Sequence, residues 1–167
     1  MTCKEMPYAY LMAALWLLSS CYSFTGANLP PQVKTIQVNT FPNYASIVNP
    51  NLSQAFTAEL RDFFQTRTTL SPTNEDGDIT IEGEITGYQI NPASVVSEEQ
   101  ADQNRLTVTI KVRYFLKYDK AQNFEREYTE SENFERDQDL LNLQGKMLKD
   151  INDRLAQKIF SNTVANW

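Results

Sequence analysis

Periodicity assigns this chain to the α+β class: a two-layer sandwich, with a four-stranded mixed sheet carrying two helices packed on one face. Three observations lead there. Six segments of regular apolar spacing follow one another in the order β-α-β-β-β-α. Each strand segment places apolar residues at every second position, so one face is buried and the other wet. Both helical segments carry a single apolar stripe, and one-sided sheet and one-sided helices cover each other most economically as two layers.

The first strand spans 33–41, with Ile36 and Val38 on its buried side, and Pro42-Asn43 ends it. A loop leads to the first helix, for which Asn51 or Asn49 is the predicted N-cap with Pro50 near the start. From there Leu52, Phe56, Leu60 and Phe63 or Phe64 keep the i, i+4 spacing of one helical face, which is the signature of core packing. Thr66 to Gly77 reads as a polar loop broken by Pro72.

The second strand, 78–90, alternates Ile79, Ile81 and Ile85 with Thr80, Glu82, Glu84 and Thr86. Gly83 and Gly87 fall on its buried side, where glycine admits a close neighbour or marks a bulge. Residues 91–103 have no periodicity and are long for a hairpin connection, the mark of a loop that is either functional or mobile. The third strand, 105–118, has the strongest pattern. Leu106, Val108, Ile110, Val112, Tyr114 and Leu116 face one way; Thr107, Thr109, Lys111, Arg113 and Lys117 form a basic wet face.

The fourth strand, 123–134, sets Phe124 and Tyr128 among Glu125, Glu127, Glu130 and Glu132. In a meander those acids lie across from Lys111 and Arg113, which explains both charge sets as cross-strand ion pairs. The last helix runs from Leu140 to about Asn162, capped by Asp137 or Asp139. Leu140, Leu143, Met147, Ile151, Leu155 and Ile159 form its stripe, and Leu148, Phe160 and Val164 widen it. Gly145 weakens this helix only locally, and Trp167 is expected to pack against the domain.

Upstream of the domain, Lys4 precedes an uncharged apolar run from Ala9 to Leu18 that is too short to span a bilayer. Leu18-Ser19-Ser20-Cys21 closes the run and resembles a bacterial lipobox, in which the peptide before the cysteine is removed and the cysteine sulfur acylated. The expected organisation is a signal peptide at 1–20, a lipidated tether at 21–32 beginning with Cys21, and one domain over 33–167. More than one acyl chain is required for stable anchoring. An ordinary secretory signal or a weak uncleaved anchor is the plainer alternative. Glu5 offsets Lys4, which leaves Met6 as an alternative start. No acidic residue follows Cys21, and by the lipoprotein sorting scheme this resembles, the periplasmic leaflet of the outer membrane is the default destination.

Composition narrows the chemistry. The chain has no histidine and two cysteines, Cys3 in the signal segment and Cys21 at the acylation position. Histidine-dependent nucleophilic catalysis and the usual zinc, copper or haem sites therefore have no ligands to draw on. Glu75-Asp76-Gly77-Asp78 is the one cluster to consider for a hard cation, but it lacks the later acidic ligand of a calcium loop and reads as a turn. A net charge of -6 argues against nucleic acid or an anionic lipid surface as a general partner. No cofactor and no catalytic residue is expected.

Several stretches carry a family resemblance. Cys21-Tyr22-Ser23-Phe24-Thr25-Gly26, Pro30-Pro31 with Lys34-Thr35-Ile36, Phe41-Pro42-Asn43, and Asn49-Pro50 with Leu52-Ser53-Gln54 and Phe56-Thr57 begin it. Gly83-Glu84-Ile85-Thr86-Gly87-Tyr88, Asn104-Arg105-Leu106-Thr107-Val108 and Asn166-Trp167 continue it. Together they resemble the LptE family of lipopolysaccharide-assembly lipoproteins, in its Bacteroidota branch. The resemblance implies a non-enzymatic outer-membrane lipoprotein that associates with the barrel protein LptD, plugs its lumen from the periplasmic side and assists delivery of lipopolysaccharide or lipooligosaccharide to the outer leaflet. It also implies that basic residues meet the glycolipid. Charge placement makes Lys111 and Arg113 the candidates for that contact, against the ion-pair explanation. Two other classes are weighed with it: a periplasmic adaptor lipoprotein of another envelope machine, and a hydrolase using two carboxylates, which needs a cleft that the pattern of acids does not suggest.

Overall fold

The computed structural model describes residues 29–47, 49–93, 103–136 and 140–164. In chain order the elements are β1 (Thr35–Val38), α1 (Leu52–Arg67), β2 (Ser71–Thr73), β3 (Ile79–Pro92), β4 (Gln103–Leu116), β5 (Phe124–Glu135) and α2 (Leu140–Thr163). They form one mixed sheet, in the order β2-β1-β3-β4-β5, with both helices against a single face. The α+β two-layer expectation holds, with five strands rather than four.

The additional strand is β2, inside the stretch that reads as a loop. It pairs parallel to β1, Thr35 opposite Ser71 and Gln37 opposite Thr73, and the Ser71 N–H donates to the Lys34 carbonyl at 2.9 Å. Two polar residues flanking a proline have no strand signature. Pro72 is tolerated because the strand lies at the sheet edge, where a missing N–H costs no ladder bond. β1 itself is shorter than the alternation predicts, and Ile36 and Val38 are its buried residues as expected. Its line nevertheless continues past Phe41: Asn43 bridges Ile85, and the Tyr44 N–H donates to the Ile85 carbonyl.

β3, β4 and β5 form the antiparallel meander. The inward residues of β4 are all buried, as the pattern requires. In β3 a bulge between Ile85 and Gly87 shifts the register, so Gly87 pairs with Thr109 on the outer face and Tyr88 turns inward. Gly87 is thus not on the buried side. The two glycines divide the roles anticipated for them: Gly87 marks the bulge, and Gly83 permits close approach. A Cβ on Gly83 would stand 2.0 Å from the Lys111 carbonyl oxygen and 2.6 Å from Cε1 of Phe41.

Phe41 is fully buried, packed edge-on against Phe56 of α1 with ring centroids 5.1 Å apart. Its backbone is bonded by the same helix. The Ser53 hydroxyl donates to the Phe41 carbonyl at 2.6 Å, and the Phe41 N–H donates to the Thr57 hydroxyl oxygen at 3.1 Å. One turn further on, Arg61 donates through Nε and a terminal nitrogen to the Val38 carbonyl. Positions 53, 57 and 61 form a polar stripe at i, i+4, i+8 beside the apolar one. Both Phe63 and Phe64 are buried and meet Phe160 of α2. Asn51 occupies the N-cap of α1 without a side-chain cap bond; Asn49 contributes instead, its Oδ1 accepting the Asn51 N–H. The expected caps of α2, Asp137 and Asp139, lie outside the described residues, as does Trp167.

β5 is the outer strand, and its glutamates split between two faces. Glu125 and Glu127 face outward opposite Arg113 and Lys111, whereas Glu130 and Glu132 lie on the helix side. There they pair with α2: Arg154 reaches Glu132 at 2.7 Å and Glu130 at 3.2 Å, and Lys158 pairs with Glu130. The four acids therefore do not share one wet face. A sheet period of two sends 125 and 127 one way and 130 and 132 the other.

The acidic turn before β3 is structural. Asp78 is 8% exposed, and its Oδ2 accepts the Lys34 and Thr35 N–H groups at 2.8 and 2.9 Å while Tyr118 donates its hydroxyl to Oδ1. Burial acts to raise the Asp78 pKa, but these donors outweigh it and hold the carboxyl at about 2 against an ordinary 3.8. A group depressed in the folded state stabilises the fold above its unfolded pKa and loses that contribution as pH falls through the folded value. Stability of the wild type is thus expected to drop between pH 3.8 and about 2. Asp78→Asn is expected to lack that increment and to be roughly 1 to 2 kcal/mol less stable at pH 7, measured by urea unfolding. Gly83→Ala is expected to cost about 3 kcal/mol through overpacking. Gly145→Ala, where a Cβ meets nothing within 4 Å, is expected to gain about 1 kcal/mol of helix propensity.

Candidate functional site

Lys111 and Arg113 stand two positions apart on β4 with side chains on the outer sheet face, where alternation predicts them. Both are held by acids. Lys111 Nζ lies 2.8 Å from Glu125 of β5, and Arg113 Nε donates to Glu82 of β3 at 3.0 Å. The Lys111 contact is diagonal, since the residues directly opposite it are Glu127 on β5 and Glu84 on β3, whereas Arg113 pairs with the glutamate directly opposite it on β3. The hydrogen bond and charge of Glu125 raise the Lys111 pKa, and the hydrogen bond to Glu82 raises that of Arg113.

Around them the face is a polar lattice. Gln37 donates to Asn39, Asn39 donates to the second oxygen of Glu82, and Thr109 and Thr129 share a hydroxyl contact at 3.2 Å. Chemically this surface offers exchangeable ion pairs: an incoming phosphate can take a cation only by displacing a carboxylate already there. Any anion there competes with the glutamates.

At one end of the sheet the structure presents features that the sequence does not announce. β3 pairs with β4 along its whole length, but on its other side the β1 line stops at Tyr44 and Ile85. Beyond that point Gly87 to Pro92 has no strand beside it among the described residues. Ile85 directs its N–H and C=O toward the β1 side, and after the bulge Tyr88 and Ile90 take up that direction by alternation. Next to this open edge, Tyr44 is 70% exposed and Ile47 57%.

A cleft of about 350 Å³ lies beside it, between the N-terminal halves of α1 and α2. Asn49, Asn51, Gln144 and Asn152 give it amide walls, with Glu59 and Lys149 also lining it. Gln144 joins cleft to edge, donating to the Tyr88 hydroxyl at 2.6 Å. Asn152 is buried, and its Oδ1 has no hydrogen-bond partner. A second cavity, of about 420 Å³, sits where the chain enters the domain, between Pro30, Pro31 and Leu70. The exposed tyrosine and isoleucine lie in a loop without periodicity, so pattern reading had no handle on them. The open edge follows from the unequal lengths of β1 and β3, which only the register reveals.

Cys21 and residues 94–102 of the long loop lie outside the described residues. No helix among the described residues is long and apolar enough to cross a membrane, and no cluster of His, Cys, Asp or Glu there could hold a metal ion.

Comparison with known proteins adds the family. The architecture is similar to that of the PelC dodecamer from Paraburkholderia phytofirmans, at 10% identity over 83% of this chain and 95% of that chain, TM-score 0.51. It is also similar to the hypothetical protein CT253 from Chlamydia trachomatis, at 9% identity over 77% and 94%, TM-score 0.52. Rare lipoprotein B from Shewanella oneidensis matches at 12% identity over 75% and 91%, TM-score 0.50. At such identities these likenesses speak to the fold alone. No curated protein matches the sequence. A family model described as LptE, lipopolysaccharide-assembly, matches residues 33–163, from the residue before Lys34 to the end of α2, and the chain belongs to that family.

Proposed function

We propose that this protein is an outer-membrane lipoprotein, acylated on Cys21 after loss of residues 1–20, that associates with an LptD-type barrel and supports transport of lipopolysaccharide or lipooligosaccharide into the outer leaflet. The observation that carries the reading is the family match over the whole described domain, joined to Leu18-Ser19-Ser20-Cys21 upstream of it. The role is mechanical rather than enzymatic: the domain faces the periplasm and plugs the barrel lumen.

The surface suits that role. Barrel lumens are polar, and a plug must meet them with hydrogen-bonding and charged groups rather than apolar patches. The outer sheet face does so with threonines and paired charges. Because Lys111 and Arg113 are each engaged by a glutamate, glycolipid contact at these residues is an exchange of partners, secondary to the plug. Strong independent capture of an acidic glycolipid also runs against the net charge of -6.

The test is a mild-detergent pull-down of the tagged, membrane-expressed protein beside a Cys21→Ala variant. One large outer-membrane barrel is expected to co-elute with the wild type, and the variant is expected to leave the membrane fraction. Acylated protein without a barrel would leave an adaptor of another envelope machine in its place. For the glycolipid contact, the double variant Lys111→Ala, Arg113→Ala is expected to lower binding to immobilised lipooligosaccharide by about ten-fold, a modest loss because each contact to the glycolipid replaces one to a glutamate. Unchanged binding would restrict both residues to their ion pairs.

A further inference from the structure

We infer that the cleft between α1 and α2 binds a small zwitterion of the phosphoethanolamine type, with a phosphate and a primary ammonium two carbons apart. Every residue lining the cleft is among the described ones, and its volume of about 350 Å³ is that of a small-ligand site. Leu52 and Leu148 give it an apolar floor, and Ala55 and Gly145 leave the space between the helices open; a Cβ on Gly145 would meet nothing within 4 Å. Inside it, Asn152 is 2% exposed and its Oδ1 has no hydrogen-bond partner. A buried carbonyl oxygen left unpaired is costly, and a donor entering the cleft relieves that cost.

The cleft is polarised along its length. Leu52 and Leu148 share it, and Phe64 meets Phe160 twelve residues further along each helix, so α1 and α2 run parallel and in register. At the near end is the first turn of α1. It has neither a side-chain cap nor an acidic residue, so its N–H groups present the positive end of the helix dipole. Lys149, next to Leu148, adds a cation at the same level. Asn152 stands one turn on, with Glu59 on the facing wall beyond it. Neither Lys149 nor Glu59 has an ion pair among the described residues. An anion is therefore met at one end and an N–H donor at the other, about 5 Å apart along the axis, the rise of one turn. Two carbons between phosphate and ammonium span that distance, and the single carbon of an α-amino acid falls short of it. Inorganic phosphate leaves Asn152 and Glu59 unanswered, a neutral polyol leaves both charges unanswered, and a quaternary ammonium has no N–H to give Oδ1. The inference goes beyond the plug reading and does not rest on it.

The test titrates O-phosphoethanolamine into the full-length protein in micelles of a detergent without amine or phosphate groups, followed by calorimetry and by the phosphorus chemical shift. Saturable binding is expected, and binding about ten-fold weaker for phosphocholine, which keeps the phosphate and loses the N–H donors. Asn152→Leu takes away the unpaired oxygen at similar volume. It is expected to match the wild type in urea unfolding and to lose about ten-fold in affinity for phosphoethanolamine, with its affinity for phosphocholine unchanged. Gly145→Phe fills the cleft, is expected to abolish binding of both compounds, and decides the matter if Asn152→Leu does not fold. Flotation of the Cys21→Ala form, which cannot be acylated, with phosphatidylcholine vesicles made with or without phosphatidylethanolamine identifies the source. Co-flotation only with the ethanolamine lipid assigns a phospholipid headgroup; binding of the soluble compound without co-flotation assigns a ligand outside the bilayer. No binding of O-phosphoethanolamine, equal affinity for phosphocholine, or binding unchanged in the folded variants would overturn the site. A barrel retained in the pull-down without this binding removes the site and leaves the plug; binding without a barrel does the reverse.

Discussion

The arrangement depends on how Phe41 is held. Its ring lies beneath Gly83, where only the missing Cβ leaves room, and its backbone is bonded on both sides by Ser53 and Thr57 of α1. One residue thus fixes the distance of the helix from the sheet, the departure of the chain from β1 and the position of β3 beneath it. A buried backbone that leaves a sheet ladder needs replacement partners, and a helix surface is an unusual source of them. Here the helix provides two hydroxyls and a guanidinium at successive turns, so the same face that buries Phe56 and Leu60 also satisfies the strand it covers.

Charge does separate work on the two faces of the meander. On the helix side, Arg154 and Lys158 clamp Glu130 and Glu132 and tie the edge strand to α2. Arg126 adds a bond to Asn162 at the end of the same helix. On the outer side, Lys111 and Arg113 are half-exposed and share acids with both neighbouring strands. The clamp is structural, and the outer pairs are the exchangeable ones.

Much of the layer architecture was legible because burial imposes period on sequence. The six alternating inward residues of β4 and the stripe through Met147, Ile151, Leu155 and Ile159 are repeated often enough to outweigh local noise. β2 was not legible, since Ser71-Pro72-Thr73 gains its strand geometry from β1 rather than from its own residues. Nor was the inward turn of Tyr88, because a bulge resets the period in the middle of a strand that otherwise reads cleanly. The separation of the β5 glutamates was available in the spacing of 125, 127, 130 and 132, whose parity changes between 127 and 130. Lys111 and Arg113 were visible as cations on a wet face; their partners required the register.

Asp78 has a consequence for mechanical load. The chain enters the domain through Lys34 and Thr35, and the amides of both are gripped by one carboxylate that Tyr118, just beyond β4, also holds. A pull on the residues upstream therefore reaches charge-assisted bonds before it reaches the short parallel ladder of β1. Those bonds pass the force into the start of β3 and the end of β4, whose antiparallel pairing is the longest in the sheet. A domain joined at that point to a moving surface would load the Asp78 grip before it peeled its edge.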